Sequence, residues 1–154
     1  MTKKITPRRY SSLLNYIEIK KVGFLDISSR LFPEGLSEGE IKVETKNEVE
    51  IQTHEESRTF SAIDKYMIFG TIGSKNIFEI SLKVVAVFDA KVKPEKDFLE
   101  IFEKNTLKII TYPYVRSTVQ DLTTKMGLPA LVLPIWKVPP GSQAGYMRLS
   151  KSES

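Results

Sequence analysis

His54 is the only histidine, and the chain has no cysteine. A paired-histidine metal site, a thiolate site, a disulfide and a cysteine nucleophile are excluded together. His54 could serve in a triad only beside an activated hydroxyl, and its place in the polar turn His54-Glu55-Glu56-Ser57 marks an ordinary surface residue. Carboxylates are many, but Glu48 and Glu50 fall on a charged strand face and Glu55 and Glu56 in that turn. Acid catalysis needs a carboxyl isolated in apolar surroundings, where its pKa rises, and neither pair is so placed. The stretch from Gly70 to Lys75, GTIGSK, has a phosphate-loop flavour without the GxxxxGK[ST] spacing, and it sits in a hairpin rather than between strand and helix. The expectation is a non-enzyme with no catalytic residue, no metal and no cofactor, whose function resides in its surface.

At 154 residues the chain has the length of one domain, able to bury roughly 70% of the surface its unfolded form exposes. Apolar residues at 41% and charged residues at 27% fit a packed core. The formal charge of +4 arises from 23 basic and 19 acidic residues, and Lys3, Lys4, Arg8 and Arg9 make the N-terminus basic. So few charges fit a solvated terminus better than a nucleic-acid arm. The apolar residues after this lead break off at Glu18, short of a signal-peptide core, and no window is as long as a membrane span. A cytoplasmic protein is expected, with no nucleic acid partner and no membrane insertion.

Residues 1–14 are expected to form a flexible basic tail, 15–136 a single domain, and 137–154, with Pro139-Pro140-Gly141 and a Ser/Lys ending, a flexible C-terminal tail. In the first strand Ile17, Ile19, Leu25, Ile27 and Leu31 share a face that should point inward, and Glu18, Lys20, Asp26 and Arg30 should meet solvent. Gly23 in mid-strand suggests a bulge or a close backbone approach. The loop from Phe32 to Gly39 forbids regular structure, and on residue type alone Phe32 and Leu36 fit packing over a core edge better than a flap. Ile41, Val43, Thr45, Val49 and Ile51 alternate with charged residues in a second strand, a third runs from about Thr59 to Ile72, and Phe78 to Phe88 alternate in a fourth. The class is α+β: a four-stranded antiparallel sheet, read as a meander with one wet face, followed by a long helix packed on one face.

Phe98, Leu99, Ile101 and Phe102 repeat at helical spacing in a short helix or turn. The main helix begins either at Thr111 as a cap placing Pro113 in the first turn, or near Asn105 with a kink at Pro113. Val115, Val119, Leu122 and Met126 make one stripe, expected to pack within and between subunits, and Gly127 stops the helix. Leu128 to Trp136 is apolar but held by Pro129 and Pro134 out of helix and central strand, an extended apolar loop. The apolar residues between 98 and 136 exceed what one helix needs to cover one sheet, so some should lie between subunits or line an exposed groove.

Tyr112-Pro113-Tyr114-Val115-Arg116, a helix, then Gly127-Leu128-Pro129 and Leu131-Val132-Leu133-Pro134, resembles the SecB protein-export chaperone family, as does Asp26-Ile27-Ser28 at the end of the first strand. The likeness spans about Tyr16 to Trp136. It implies a homotetramer, a dimer of dimers, and apolar grooves for unfolded preproteins or other non-native polypeptides. By motif the peptide-binding residues would be Phe32, Leu36, Ile41, Val43, Leu128, Leu131, Val132, Leu133, Ile135 and Trp136, which makes the loop of Phe32 a flap. Asp26 matches an acid with which such proteins dock the SecA motor. Arg30 replaces another common acid and the tail is basic, so SecA docking is not expected, and the family's second helix is not legible after Trp136. A SecB-like holdase or an antitoxin-linked chaperone with particular clients is implied.

Overall fold

A computed structural model describes residues 5–54, 57–134 and 144–149. Helix α1 (Pro7–Leu14) precedes strand β1 (Ile17–Leu31), and a 3-10 turn at Pro33–Gly35 leads to β2 (Gly39–Thr53), β3 (Thr59–Ile72) and β4 (Lys75–Ala90). Helices α2 (Lys96–Lys104) and α3 (Thr106–Lys125) follow, and then strand β5 (Ala144–Leu149). All strands pair antiparallel, in the order β1-β4-β3-β2-β5. The α+β architecture of a four-stranded antiparallel sheet followed by a long helix is as expected from sequence.

Four expectations need correction. The meander covers only β2, β3 and β4; β1 crosses over through residues 32–38 to pair with β4, because its apolar side completes the sheet beside Phe78 to Ala90. The N-terminal lead is helical from Pro7: the Thr6 hydroxyl accepts from the Arg9 amide at 3.2 Å and proline stands at the first helical position. Tyr10 then stacks on Phe98 with ring centroids 5.1 Å apart, giving the short helix a reason to persist. The tail includes β5, laid along the edge of β2, since a sheet edge offers backbone partners to a segment too short to build a core of its own.

The fourth correction concerns β1. Its register on β4 slips between Ile19 and Lys21 and again between Phe24 and Asp26, so bulges flank Gly23 rather than centre on it. They bring Val22 and Phe24 to the core-facing side along with Ile17 and Leu31. Ile19 and Ile27 stand opposite the buried Phe88 and Leu82, on that same side, but no layer covers them: they are 49% and 48% exposed. Leu25, at the second bulge, is 58% exposed. An edge strand at the margin of a sheet with one main covering helix leaves part of its apolar face bare.

The core has two neighbouring clusters. Phe60, Phe88, Phe98 and Phe102 gather beneath α1 and α2, with the Phe88 and Phe102 rings nearly perpendicular at 5.0 Å. Beneath α3, Ile41, Val43, Ile68, Phe78, Ile80 and Leu82 meet Val115 and Val119. Gly70 is required here: a Cβ on it would stand 2.2 Å from the Phe78 ring, which lies across the bare backbone. The stretch Gly70 to Lys75 is a hairpin turning at Gly73, which has φ +59°, and not a phosphate loop.

Candidate functional site

Of the two readings for the main helix, the longer one holds. α3 runs unbroken from Thr106, and the missing amide of Pro113 leaves its gap on the side of Ile109, which is 70% exposed and can be hydrated. Thr111 is not a cap. It is fully buried in mid-helix, and its hydroxyl donates to Asp64 Oδ2 at 2.7 Å, with the Leu107 carbonyl also within reach at 2.9 Å.

That contact belongs to a buried polar network which pattern reading missed. Lys108 Nζ donates to Asp64 Oδ1 at 2.5 Å, to Tyr66 Oη at 3.1 Å and to Asn47 Oδ1, while Asn47 Nδ2 donates back to Asp64 at 2.6 Å. Burial lowers the Lys108 pKa, with the Asp64 carboxylate opposing it, and burial beside that carboxylate pushes the Tyr66 phenol well up. Taking an ion pair out of water is costly unless further hydrogen bonds complete it, and here Thr111 and Asn47 supply them. The network ties the first half of α3 to β2 and β3 and fixes its rotation over the sheet. In sequence Lys108 looks like one more charge; only its position opposite Asp64, on an otherwise apolar side of β3, could have hinted at pairing.

A second set of bonds holds the segment after α3. Gly127, at φ +76°, receives the helix end, with Leu128 N donating to Thr123 O and Gly127 N to Thr124 O, both at 3.0 Å. Leu131 N donates to Thr123 Oγ1 at 3.0 Å, Arg116 Nε to the Leu133 carbonyl at 2.9 Å and Tyr112 Oη to the Pro134 carbonyl at 2.6 Å. Tyr112 and Arg116 of the YPYVR string therefore act as clasps. Proline at 129 and 134 leaves this stretch without regular pairing, and the helix side chains supply its partners instead.

The clasp decides where the expected peptide-binding residues lie. Leu128, Leu131 and Leu133 are turned into the core beneath α3 with Ile41 and Val43, so these five support a surface and do not line one. Val132, between them, points out and is 58% exposed. Leu36 is also exposed. Phe32 is half-buried with the Arg30 guanidinium 5.9 Å from its ring, on the sheet side away from α3. Its loop is fastened, with Phe32 N donating to the Ile77 carbonyl at 2.8 Å and Gly35 so close to β4 that a Cβ would stand 2.6 Å from Asn76 O. Ile135 and Trp136 lie outside the described residues. Among the described residues the expected peptide-binding positions are thus divided between core and surface.

The helix stripe divides in the same way. Val115 and Val119 are fully buried in their own chain and cannot reach a partner, a correction that follows from their four-residue spacing on the side facing β3 and β4. Leu122 and Met126 are half-buried at the margin. The outward side shows Ile109 and Tyr114. Asp26 is exposed on the sheet side away from α3, opposite Lys83, and Arg30 stands opposite Glu79, so acids there are matched by bases.

Among the described residues there is no cluster of three metal-ligating side chains, and no helix is long and apolar enough to cross a membrane. His54 is exposed in its turn. A cleft of about 550 Å3 opens where α1 meets β1, lined by Tyr16, Glu18, Arg58, Asp89 and Lys91 among others. Its Asp89 is held locally: Lys20 lies 3.4 Å away, and the Thr59 hydroxyl donates to Asp89 at 2.7 Å and holds its carboxyl below the usual range. It is polar and distant from Val132 and Leu36 in character and in lining.

No family model matches the chain, and no curated protein matches it. Among solved structures, the chain is similar to a SecB-like chaperone of Mycobacterium tuberculosis in complex with a ChAD peptide from the HigA1 antitoxin. The likeness covers 84% of this chain and 96% of that one, at 19% identity and a TM-score of 0.72. A Streptococcus agalactiae protein of unknown function matches at 13% identity and a TM-score of 0.43, covering 77% of this chain and 97% of that one. The fold is that of SecB-like chaperones.

Proposed function

We propose that this chain is an ATP-independent holdase, not an enzyme, that binds unfolded or non-native polypeptides through apolar surface, preproteins awaiting export being one class of such clients. The observation that supports this most is the SecB-like fold, shared with a chaperone solved with a bound peptide, together with apolar side chains left bare at Leu36 and Val132. Apolar area rewards any exposed client segment by about 25 cal/mol per Å2 without requiring a sequence or a nucleotide. Ile135 and Trp136 follow directly on the clasped segment and belong to the proposed surface by sequence.

The working form is a homotetramer, a dimer of dimers. β1 supplies one contact, as an edge with no strand beyond it among the described residues and with Ile19, Leu25 and Ile27 uncovered; α3 supplies the other, through the exposed Ile109 and Tyr114 and the half-buried Leu122 and Met126 at its margin. SecA docking is not included, since Lys83 stands opposite Asp26 in the sheet and a base, Arg30, stands further along the same strand. The test is light scattering of a chemically denatured client diluted into buffer. Stoichiometric protein is expected to hold scattering down; unchanged aggregation would sink the proposal.

A second reading is favoured by the antitoxin peptide bound to the similar chaperone: one dedicated partner, such as an antitoxin segment, in place of many clients. Affinity capture recovering a single dominant partner, together with indifference to denatured chains, would select it.

A further inference from the structure

The edge of β2 already holds an extended peptide, and that peptide is the chain's own. β5 pairs antiparallel with β2 from Gly39↔Leu149 to Glu44↔Ala144, a run of six residues. The rest of β2, from Thr45 to Thr53, has β3 on one side and no strand on the other among the described residues. Extended backbone is the form in which a non-native polypeptide can add to a sheet edge, where main-chain hydrogen bonds give affinity and side chains on alternate positions give selectivity.

We propose that the β2 edge is a strand-addition site for extended client polypeptide, with Ala144–Leu149 as its resting occupant, which a client must displace. This rests on the holdase reading and names one of its binding surfaces. The register gives the chemistry of the occupant. Met147 stands opposite the buried Ile41 and Leu149 opposite Gly39, whereas Arg148 stands opposite Glu40 and Tyr146 opposite Lys42. β2 carries four glutamates and two lysines, so the edge suits a strand of apolar residues at every second position with basic residues between. Val43 and Ile41, expected from sequence to bind peptide and found in the core, thereby regain a role: they form the strand to which the peptide is added.

Six residues of pairing are a modest restraint. The net gain from each backbone hydrogen bond is small and is offset by the ordering of the segment. A tethered occupant nevertheless acts at an effective concentration of about a millimolar, enough to exclude weak clients and yield to good ones. Apparent affinity is multiplied by the fraction of time the edge is open, so an edge open about a tenth of the time binds about tenfold more weakly than a free one.

The test uses the full chain. Tyr146→Pro with Met147→Pro removes adjacent backbone donors, one of which must face β2. A labelled, permanently unfolded, reduced and alkylated polypeptide is the probe, read by fluorescence anisotropy, and about tenfold tighter binding than by the unmutated chain is expected. The converse variant, Glu40→Cys with Arg148→Cys, is closed by a short bismaleimide, which finds no other thiol in this cysteine-free chain; the closed form is expected to lose about tenfold in affinity. Equal binding by the open, unmutated and closed forms overturns the tail's role while leaving the holdase standing. Failure of all three to bind overturns the holdase reading and this inference with it. Retained cooperative melting of each form confirms that the comparison is between folded chains.

Discussion

The two edges of the sheet are opposites. β2 alternates cleanly, with Ile41, Val43 and Ile51 to one side and Glu40, Lys42, Glu44 and Glu50 to the other, and its first six residues are capped by β5. β1 is broken by two bulges, carries Gly23 with open space where a side chain would be, and leaves Ile19, Leu25 and Ile27 uncovered. Charge alternation and a covering strand are protections that keep a sheet edge from unwanted pairing. β1 has bulges but keeps its apolar side bare, the combination expected where a permanent partner arrives. The helix contributes to the asymmetry: Lys108 and Thr111 anchor α3 to Asn47 of β2 and Asp64 of β3, so no equivalent anchor draws it over β1.

Loss of that anchor is the heaviest blow to this contrast. Lys108→Met leaves the Asp64 carboxylate buried without its cation and is expected to cost about 3–5 kcal/mol, read as a fall in the urea midpoint. The double change Lys108→Met with Asp64→Leu should recover most of that loss; equal destabilisation by the double variant would show that the pair is not the reason. Next in size, Ile27→Glu places a charge on the bare side of β1. The chain should fold, because Ile27 is half exposed already, while the oligomer dissociates in sedimentation; a charge reversal on the other edge, Glu44→Lys on β2, should leave assembly intact. If the two behave alike, the edges are not functionally different.

Smaller effects sharpen the picture. Tyr112→Phe removes the bond to the Pro134 carbonyl and should cost about 1 kcal/mol, with hydrogen exchange rising in 128–134 but not in β2. On pH, Tyr10, Tyr66 and Tyr112 all have pKa values raised chiefly by burial from an ordinary 10.0. Each contributes stability that is whole below pH 10 and is lost as pH climbs from there through the folded value. Lys108, lowered by burial from 10.5, works in the opposite sense below that pH. Lys108 has no further effect above 10.5, so stability should decline there through the tyrosines, and Tyr66→Phe should flatten the decline in urea midpoints measured across that range.

How much of this was legible in the sequence follows from which forces pattern reading can see. Alternation in β2 and β4 and the 3.6-residue period of α3 are repeated signals, and all three elements are where they were expected. Between the bulges near Lys20 and Leu25 the period-two phase of β1 shifts, so Val22 and Phe24 were missed and Leu25 misplaced while Ile17, Ile19, Ile27 and Leu31 lie on the expected side, and Gly23 marks only the neighbourhood. α1 was passed over as a charged lead although Thr6-Pro7 is a helix-start signal, and β5 because edge pairing depends on backbone rather than side-chain pattern. At the candidate site, Val132 and Leu36 were found at the surface, but Leu128, Leu131 and Leu133 were not, since their burial depends on bonds from Tyr112, Arg116 and Thr123 to a segment up to 22 residues away. A motif string named those residues without revealing that its tyrosine and arginine hold the loop.

The mass of the native assembly tests the contrast between the edges most directly. One chain has a mass of 17.5 kDa, and native mass spectrometry of the full-length protein at micromolar concentration should give four times that value, with the pair of chains as its first dissociation product. A monomer that stays a monomer at every concentration would contradict the account, for β1 would then be a bare apolar edge with nothing to cover it.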